Sequence, residues 1–135
     1  MRALLDVNVL IAALLSRSGA PAELLVRWLA GEFELVVTEQ LLAELETTLT
    51  RPKLRSRFDQ DAVDRLLELL RSGLAEHLAD PDTPPAQGSR DPDDDYLIAA
   101  AAAAHATLVS GDRHLLELEG SIPVLTPRAF LESLE

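Results

Sequence analysis

Short apolar runs alternate along the chain with longer stretches in which leucines recur at helical spacing. The first run, residues 3–5, has the length of a buried strand and ends at Asp6, and an apolar stretch typical of a helix follows at residues 9–15. A second helix is expected between Pro21 and Gly31, because proline suits the first helical turn and glycine ends a helix. The chain therefore begins with one strand and two helices.

The middle of the chain continues this alternation. Residues 34–37 predict a second strand, after which Thr38 has the side chain of a helix N-cap. We expect Pro52 to stop the helix that follows, and its apolar face is formed by Leu41, Leu42, Leu45 and Leu49. Asp59 is placed to cap the next helix, near whose end Gly73 stands. The inward face of that helix is expected to consist of Val63, Leu66, Leu67, Leu70 and Leu74.

The remaining elements follow a polar loop. A weak strand at residues 75–79 leads into a loop rich in Pro, Gly and Asp at residues 80–90. An alanine-rich helix is expected at about residues 92–105, with Asp91 as its N-cap. Two more strands and a C-terminal helix are expected at residues 107–110, at residues 124–125 and from Thr126 onward.

Strands that alternate with helices predict one α/β domain over residues 1–135, a three-layer α/β/α sandwich with a mostly parallel central sheet. A chain of 135 residues can bury a core without a disulfide or a structural metal. In such folds the working crevice lies beyond the carboxyl ends of the strands, near the switch in strand order. Candidate site residues should therefore stand just after strands or in the first turns of the following helices.

The composition excludes several classes of function. The absence of cysteine excludes disulfides, thiolate catalysis, zinc fingers and iron–sulfur clusters. Twenty-three acidic and 12 basic side chains give a net charge of −11, which argues against a broad basic surface for nucleic acid. An aromatic fraction of 4% argues against a base-stacking platform of the single-strand-binding kind. No targeting or membrane-spanning segment is indicated, so a cytoplasmic protein is expected.

Acidic residues stand at the positions where an α/β fold gathers its site. Asp6 follows the first strand, Asp112 follows the strand at residues 107–110, and Glu44 lies about two turns into the helix after the second strand. Asp95 is the last of three aspartates at the start of the alanine-rich helix. Clustered carboxylates suit Mg²⁺ or Mn²⁺, because these hard cations take oxygen ligands and bridge to phosphate oxygens. We therefore predict a divalent-metal site.

Each acidic residue also has a simpler interpretation. A carboxylate directly after a buried strand is costly unless something satisfies it, which favours a functional role for Asp6. Glu44 could instead be a solvated helix residue, and Asp112 could be a turn former. Asp93 and Asp94 are favourable near a helix N-terminus through the helix dipole alone. The residue types and their positions alone do not decide between these interpretations.

One local basic cluster interrupts the acidic chain. Its members are Arg51, Lys53, Arg55 and Arg57. It could be a solvated surface after a helix, but it is also the one place where this chain could hold a phosphate backbone.

Four segments in this order resemble PIN-domain proteins, specifically the prokaryotic branch of VapC-type toxins from toxin–antitoxin systems. They are residues 4–10 with Asp6 and Asn8, residues 42–54 with Glu44, residues 90–100 with Asp95, and residues 108–112 with Asp112. The ending at residues 124–131 is also similar, so the resemblance spans nearly the whole chain. It implies a PIN-like α/β/α fold.

The resemblance also implies site residues. It implies that Mg²⁺ or Mn²⁺ is held by Asp6, Glu44, Asp95 and Asp112. Asp94 is an alternative ligand, because the triple aspartate lets the alignment shift by one residue. Asn8 and Thr38 would be polar neighbours that position the ligands.

The activity implied by the resemblance is metal-dependent endoribonuclease hydrolysis of RNA phosphodiester bonds, in which the metal ion lowers the pKa of a bound water. The implied partners are an RNA substrate, a cognate antitoxin protein and a second copy of the chain. The apolar helices near Leu14, Leu15, Leu24 and Leu25 could supply the surface of such a homodimer.

Two alternative functions remain. One is a catalytically degenerate PIN fold that binds a partner protein, against which the presence of all four acidic positions argues. The other is a different acid-site α/β phosphohydrolase, such as a haloacid-dehalogenase-like phosphatase. That class would need a lysine after a late strand, whereas Lys53, the single lysine, lies in the middle of the chain.

Overall fold

The structure is a computed structural model that describes residues 1–80, 95–116 and 123–135. In chain order its elements are β1 (Arg2–Leu5), α1 (Val7–Leu15), α2 (Ala20–Leu29), β2 (Glu34–Thr38), α3 (Glu39–Leu49), α4 (Pro52–Arg55), α5 (Gln60–Arg71), β3 (Glu76–Leu78), α6 (Asp95–Ala104), β4 (Thr107–Val109), α7 (Arg113–Leu116), β5 (Val124–Leu125) and α8 (Pro127–Ser133). The predicted alternation of strands and helices is confirmed.

The five strands form one sheet in the order β3-β2-β1-β4-β5, and all pairings among them are parallel. Ala3 at the centre pairs with Leu35 of β2 on one side and with Thr107 of β4 on the other. The chain thus builds outward from β1 to β3 and then crosses over to β4, which puts the switch in strand order between β1 and β4. The α/β sandwich with a parallel central sheet is confirmed.

The helices cover both faces of this sheet. Right-handed crossovers place α1 to α5 on one face and α6 and α7 on the other, because the chain reverses its direction across the sheet after β3. In agreement, α1 packs against α2 and α3, α3 packs against α5, and α6 packs on β1 and β4. The carboxyl ends of β1 and β4 therefore meet between two helical layers.

The core follows from strands that are covered on both faces. Consecutive residues of the central strands are buried, as expected of a parallel sheet rather than of a half-exposed one: Leu4, Leu5, Val36, Val37, Leu108 and Val109. Phe130 of α8 is fully buried and packs edge-to-face on Phe33, with ring centroids 5.1 Å apart. This aromatic contact fixes the C-terminal helix to the start of β2.

The predicted N-caps Thr38 and Asp59 are confirmed. The Thr38 hydroxyl caps α3 by accepting from the Leu41 amide at 3.2 Å, and Asp59 caps α5 by accepting from the Asp61 amide at 3.0 Å. The first helix begins at Val7, two residues earlier than expected, because Asp6 is its N-cap. The expected cap Asp91 lies outside the described residues.

Several expectations are wrong. Helix α5 ends at Arg71 because Ser72 is extended, and Leu74, expected on the inward face, is 63% exposed. Helix α3 ends before Pro52 as predicted, but Pro52 also begins α4, a short helix that the sequence pattern did not predict. Leu24, considered for an interface between copies, belongs to the core with no exposed surface, whereas Leu15 is half exposed.

Within the described ranges, no single helix is long and apolar enough to cross a membrane, although α1 and α2, bent by 99°, would satisfy that length and composition as a pair.

Replacing Phe130 with alanine should lower the free energy of unfolding by about 3–5 kcal/mol, because it removes a fully buried ring and leaves a cavity. Urea denaturation followed by circular dichroism measures this loss. Leu74→Ala is the matched control and should change stability by no more than about 0.5 kcal/mol, because Leu74 is exposed. Equal losses in the two variants would contradict the core described above.

Candidate active site

Asp6 stands at the carboxyl end of the central strand and is only 5% exposed. Its amide donates to the Val109 carbonyl of β4 at 3.0 Å, which joins the ends of β1 and β4. Its carboxylate accepts two hydrogen bonds, from the Asn8 amide to Oδ1 at 3.3 Å and from the Ser110 hydroxyl to Oδ2 at 2.8 Å. Both carboxylate oxygens are therefore held in place.

Ser110 connects Asp6 to Asp112. Ser110 follows β4, is fully buried, and uses one oxygen both to donate to Asp6 and to accept from the Asp112 amide at 2.9 Å. The half-buried Asp112 is thus held on a turn next to Asp6, although 106 positions separate the two in the chain. The structure brings these two of the predicted site residues together.

The sequence analysis missed Ser110 as a site residue. The signal that could have identified it is its position, because it follows a buried strand in the same way as Asp6.

Burial raises the pKa of the Asp6 carboxyl above its usual range. Hydrogen bonds from Ser110 and Asn8 oppose this rise, and the negative charge of Asp112 adds to it. A buried carboxylate beside a second carboxylate is a donor set that a hard divalent cation fits, because the cation compensates both charges with oxygen ligands. The chemistry of these residues therefore agrees with the predicted metal.

Glu44 lies on the exposed side of α3 and accepts a hydrogen bond from the Tyr96 hydroxyl. Tyr96 directly follows Asp95 at the start of α6, so the second and third acidic segments lie next to each other. Tyr96 is a second residue that the sequence analysis missed, and nothing in its spacing indicated the contact.

Among the side chains that the structure describes, which leave out those of Asp95 and His114, no three histidine, aspartate or glutamate residues form a group that could hold a metal ion. The Asp95 side chain and all of Asp94 fall outside what the structure describes. The four-carboxylate metal site, and the choice between Asp94 and Asp95, therefore stay predictions.

The supporting residues take specific places. Asn8 is exposed and contacts Asp6 through its backbone amide. Thr38 is buried and caps α3, so it fixes the start of the helix that carries Glu44. The basic cluster of Arg51, Lys53, Arg55 and Arg57 is exposed on α4 and the residues beside it.

Comparisons with known proteins agree over nearly the whole chain. A family model described as PIN domain matches residues 2–114. The uncharacterized protein MJ1680 of Methanocaldococcus jannaschii is 25% identical over 146 residues, which cover 100% of this chain and 92% of that protein. The crystal structure of VapBC2 from Rickettsia felis, bound to a DNA fragment from their promoter, contains a chain with a similar fold. It aligns with a TM-score of 0.60 and 18% identity over 92% of this chain and 97% of that one.

Replacing Asp6 with asparagine should stabilise the metal-free protein near neutral pH. The folded chain holds the Asp6 proton to higher pH than the unfolded chain does, so the free energy of unfolding falls as the pH rises through that window. Asparagine removes this loss and can still cap α1. Urea denaturation in EDTA at a series of pH values should show a gain near neutral pH that disappears below about pH 3.9, the ordinary pKa of aspartate.

Asp64→Asn is the control, because it makes the same change in net charge at an exposed position of α5. An equal gain in both variants would attribute the effect to net charge and contradict the role of Asp6 burial.

Proposed function

This chain belongs to the PIN-domain family, and from that premise we propose that it is a metal-dependent endoribonuclease and the toxin of a VapC-type toxin–antitoxin pair. PIN domains are generally nucleases and typically use divalent metal ions. The likeness to VapBC2 supports the toxin assignment and, with it, an antitoxin partner.

One observation carries this proposal. Asp6 and Asp112 come from the ends of neighbouring strands, at the switch point where α/β folds bind ligands, and Ser110 joins them. A purely structural aspartate at a strand end needs neither this burial nor a second carboxylate beside it, whereas a phosphodiesterase site needs both to hold a cation.

The residues that would hold Mg²⁺ or Mn²⁺ are Asp6, Glu44, Asp112 and Asp95, with Asp94 as the alternative to Asp95. When bound, such an ion lowers the pKa of a water molecule and offsets charge on the scissile phosphate. The chain itself provides orientation. Ser110 fixes the Asp6 carboxylate, the α1 amide of Asn8 holds its other oxygen, and Tyr96 holds Glu44 at the neighbouring helix. No side-chain nucleophile is required.

The purified protein should cleave single-stranded RNA in Mn²⁺ or Mg²⁺ and should lose this activity in EDTA. Asp6→Asn should reduce the cleavage rate by at least about a hundredfold, because even residues that only support metal ligands contribute 10- to 100-fold. Gel electrophoresis of a labelled RNA measures the rate.

Asp64→Asn serves again as the control and should cleave at the wild-type rate. Cleavage that survives both EDTA and Asp6→Asn would contradict the proposal. A folded protein that cleaves no RNA in either metal would instead favour the catalytically degenerate PIN fold that binds a partner protein.

A second copy of the chain is the other proposed partner. Three apolar side chains at the α1–α2 surface are at least half exposed: Leu15 at 50%, Val26 at 57% and Leu29 at 52%. A homodimer would cover this surface and remove it from water.

Light scattering should therefore give the mass of two chains for the wild type, and Val26→Lys should shift it toward one chain by placing a charge in the interface. Leu74→Lys, at a similarly exposed leucine beyond α5, should leave the mass unchanged. A wild-type mass of one chain would reject the homodimer.

A further inference from the structure

Beside Glu44 the chain forms a groove of about 480 Å³ between α3 and the start of α6. We call it the α3 groove. The polar residues that line it are Gln40, Glu44, Thr47, Thr48, Arg51 and Tyr96. They come from successive turns of one exposed helix face and from one aromatic side chain opposite, so the groove is open, polar and elongated along α3.

The groove contains one cation that is not used by the fold. Arg2, Arg27 and Arg71 each form ion pairs with glutamates. Arg51, by contrast, is exposed and forms no ion pair with any residue that the structure describes. A guanidinium that is left in water at the wall of a groove is suited to a ligand with phosphate or carboxylate oxygens.

The neighbouring side chains favour the same kind of ligand. Thr47, Thr48 and Gln40 add neutral hydrogen-bonding groups to the wall. Among the described side chains that line the groove, Glu44 is the one carboxylate, and it accepts from the Tyr96 hydroxyl. The guanidinium of Arg51 offsets its charge within this set, in a chain with net charge −11.

The acidic and basic residues at the α3 groove follow one another in order along the chain. Glu44 lies in the middle of α3, and Arg51 lies just beyond the end of that helix. Arg51 is the N-cap of α4, on and beside which Lys53, Arg55 and Arg57 are exposed. Exposed basic side chains therefore follow Arg51 in the chain, beyond the end of α3, the helix that carries Glu44.

We propose that the α3 groove binds the single-stranded RNA where it leaves the proposed site, with Arg51 on a backbone phosphate and the Tyr96 ring against a base. This assignment rests on the proposed ribonuclease function. RNA is favoured over an acidic peptide because the groove pairs an aromatic ring with a free guanidinium, the combination that binds a base and its phosphate. It also begins at a residue proposed to act on phosphodiesters.

The test measures binding without cleavage. The affinity of the full chain for a fluorescein-labelled single-stranded RNA decamer is followed by anisotropy in EDTA at several NaCl concentrations. Arg51→Ala should weaken binding severalfold and reduce the slope of log K against log salt by about 0.7, the contribution of one phosphate contact in a single strand. Arg128→Ala, at an exposed arginine of α8, should change neither quantity.

Tyr96 variants test the aromatic contact separately. Tyr96→Ala should weaken binding by about fivefold or more, because base stacking on an aromatic side chain contributes at least that much. Tyr96→Phe keeps the ring and loses only the hydrogen bond to Glu44, so it should bind more tightly than Tyr96→Ala. Circular dichroism establishes that each variant is folded, and equal weakening in both would overturn the stacking role.

The outcomes separate this proposal from the proposed activity. If the wild type cleaves RNA but Arg51→Ala and Arg128→Ala bind with equal affinity and slope, the groove assignment is overturned and the activity stands. If the wild type binds the decamer through Arg51 but does not cleave RNA in Mn²⁺, the activity fails and the groove assignment stands. Binding of a labelled decaglutamate through Arg51, with none of the RNA, would overturn it in favour of an acidic protein segment.

Discussion

The hydrogen bond between the Ser110 hydroxyl and the buried Asp6 carboxylate is the contact on which the candidate site depends. Asp6 ends the central strand β1, and Ser110 follows β4, its neighbour in the sheet. Without that hydroxyl, one oxygen of a buried carboxylate would lose its donor, and an unsatisfied buried charge is among the most destabilising features in a protein. The same hydroxyl also accepts from the Asp112 amide, so it fixes the position of the second carboxylate as well.

Arg2 at the amino ends of the strands pairs with acidic residues, whereas Asp6 at the carboxyl end of β1 has different surroundings. At the amino ends of the strands, Arg2 of β1 pairs with Glu34 and Glu76 and donates to the Ala104 carbonyl, so one guanidinium joins three strands and the end of α6. At the carboxyl ends, no arginine or lysine of the described residues forms an ion pair with Asp6. The two glutamates at the amino ends thus have their charges compensated by Arg2, whereas Asp6 at the carboxyl end of β1 has no such partner among the described residues.

The local pattern of the sequence predicted what depends on neighbours in the chain. The strand before Asp6 and the caps at Thr38 and Asp59 were predicted because strand and cap signals extend over only a few residues. The contacts of Ser110 with Asp6 and of Tyr96 with Glu44 were not, because 104 and 52 residues separate the partners and only the assembled sheet brings them together. Leu74 was misplaced for a local reason, since the extended Ser72 breaks the helical period on which the prediction relied.

Asp6 shows which of the opposing effects dominates at the candidate site. It is the N-cap of α1, where the helix dipole and the Asn8 amide favour its ionised form, and the Ser110 hydroxyl favours that form further. Nevertheless, its pKa is raised, so the loss of water on burial outweighs all of these donors together. The fold therefore leaves the charged form of Asp6 incompletely compensated. Where the dielectric is low, an uncompensated carboxylate lowers the stability of the fold. The same carboxylate would attract a divalent cation strongly, so the arrangement is unfavourable for stability and suited to binding metal.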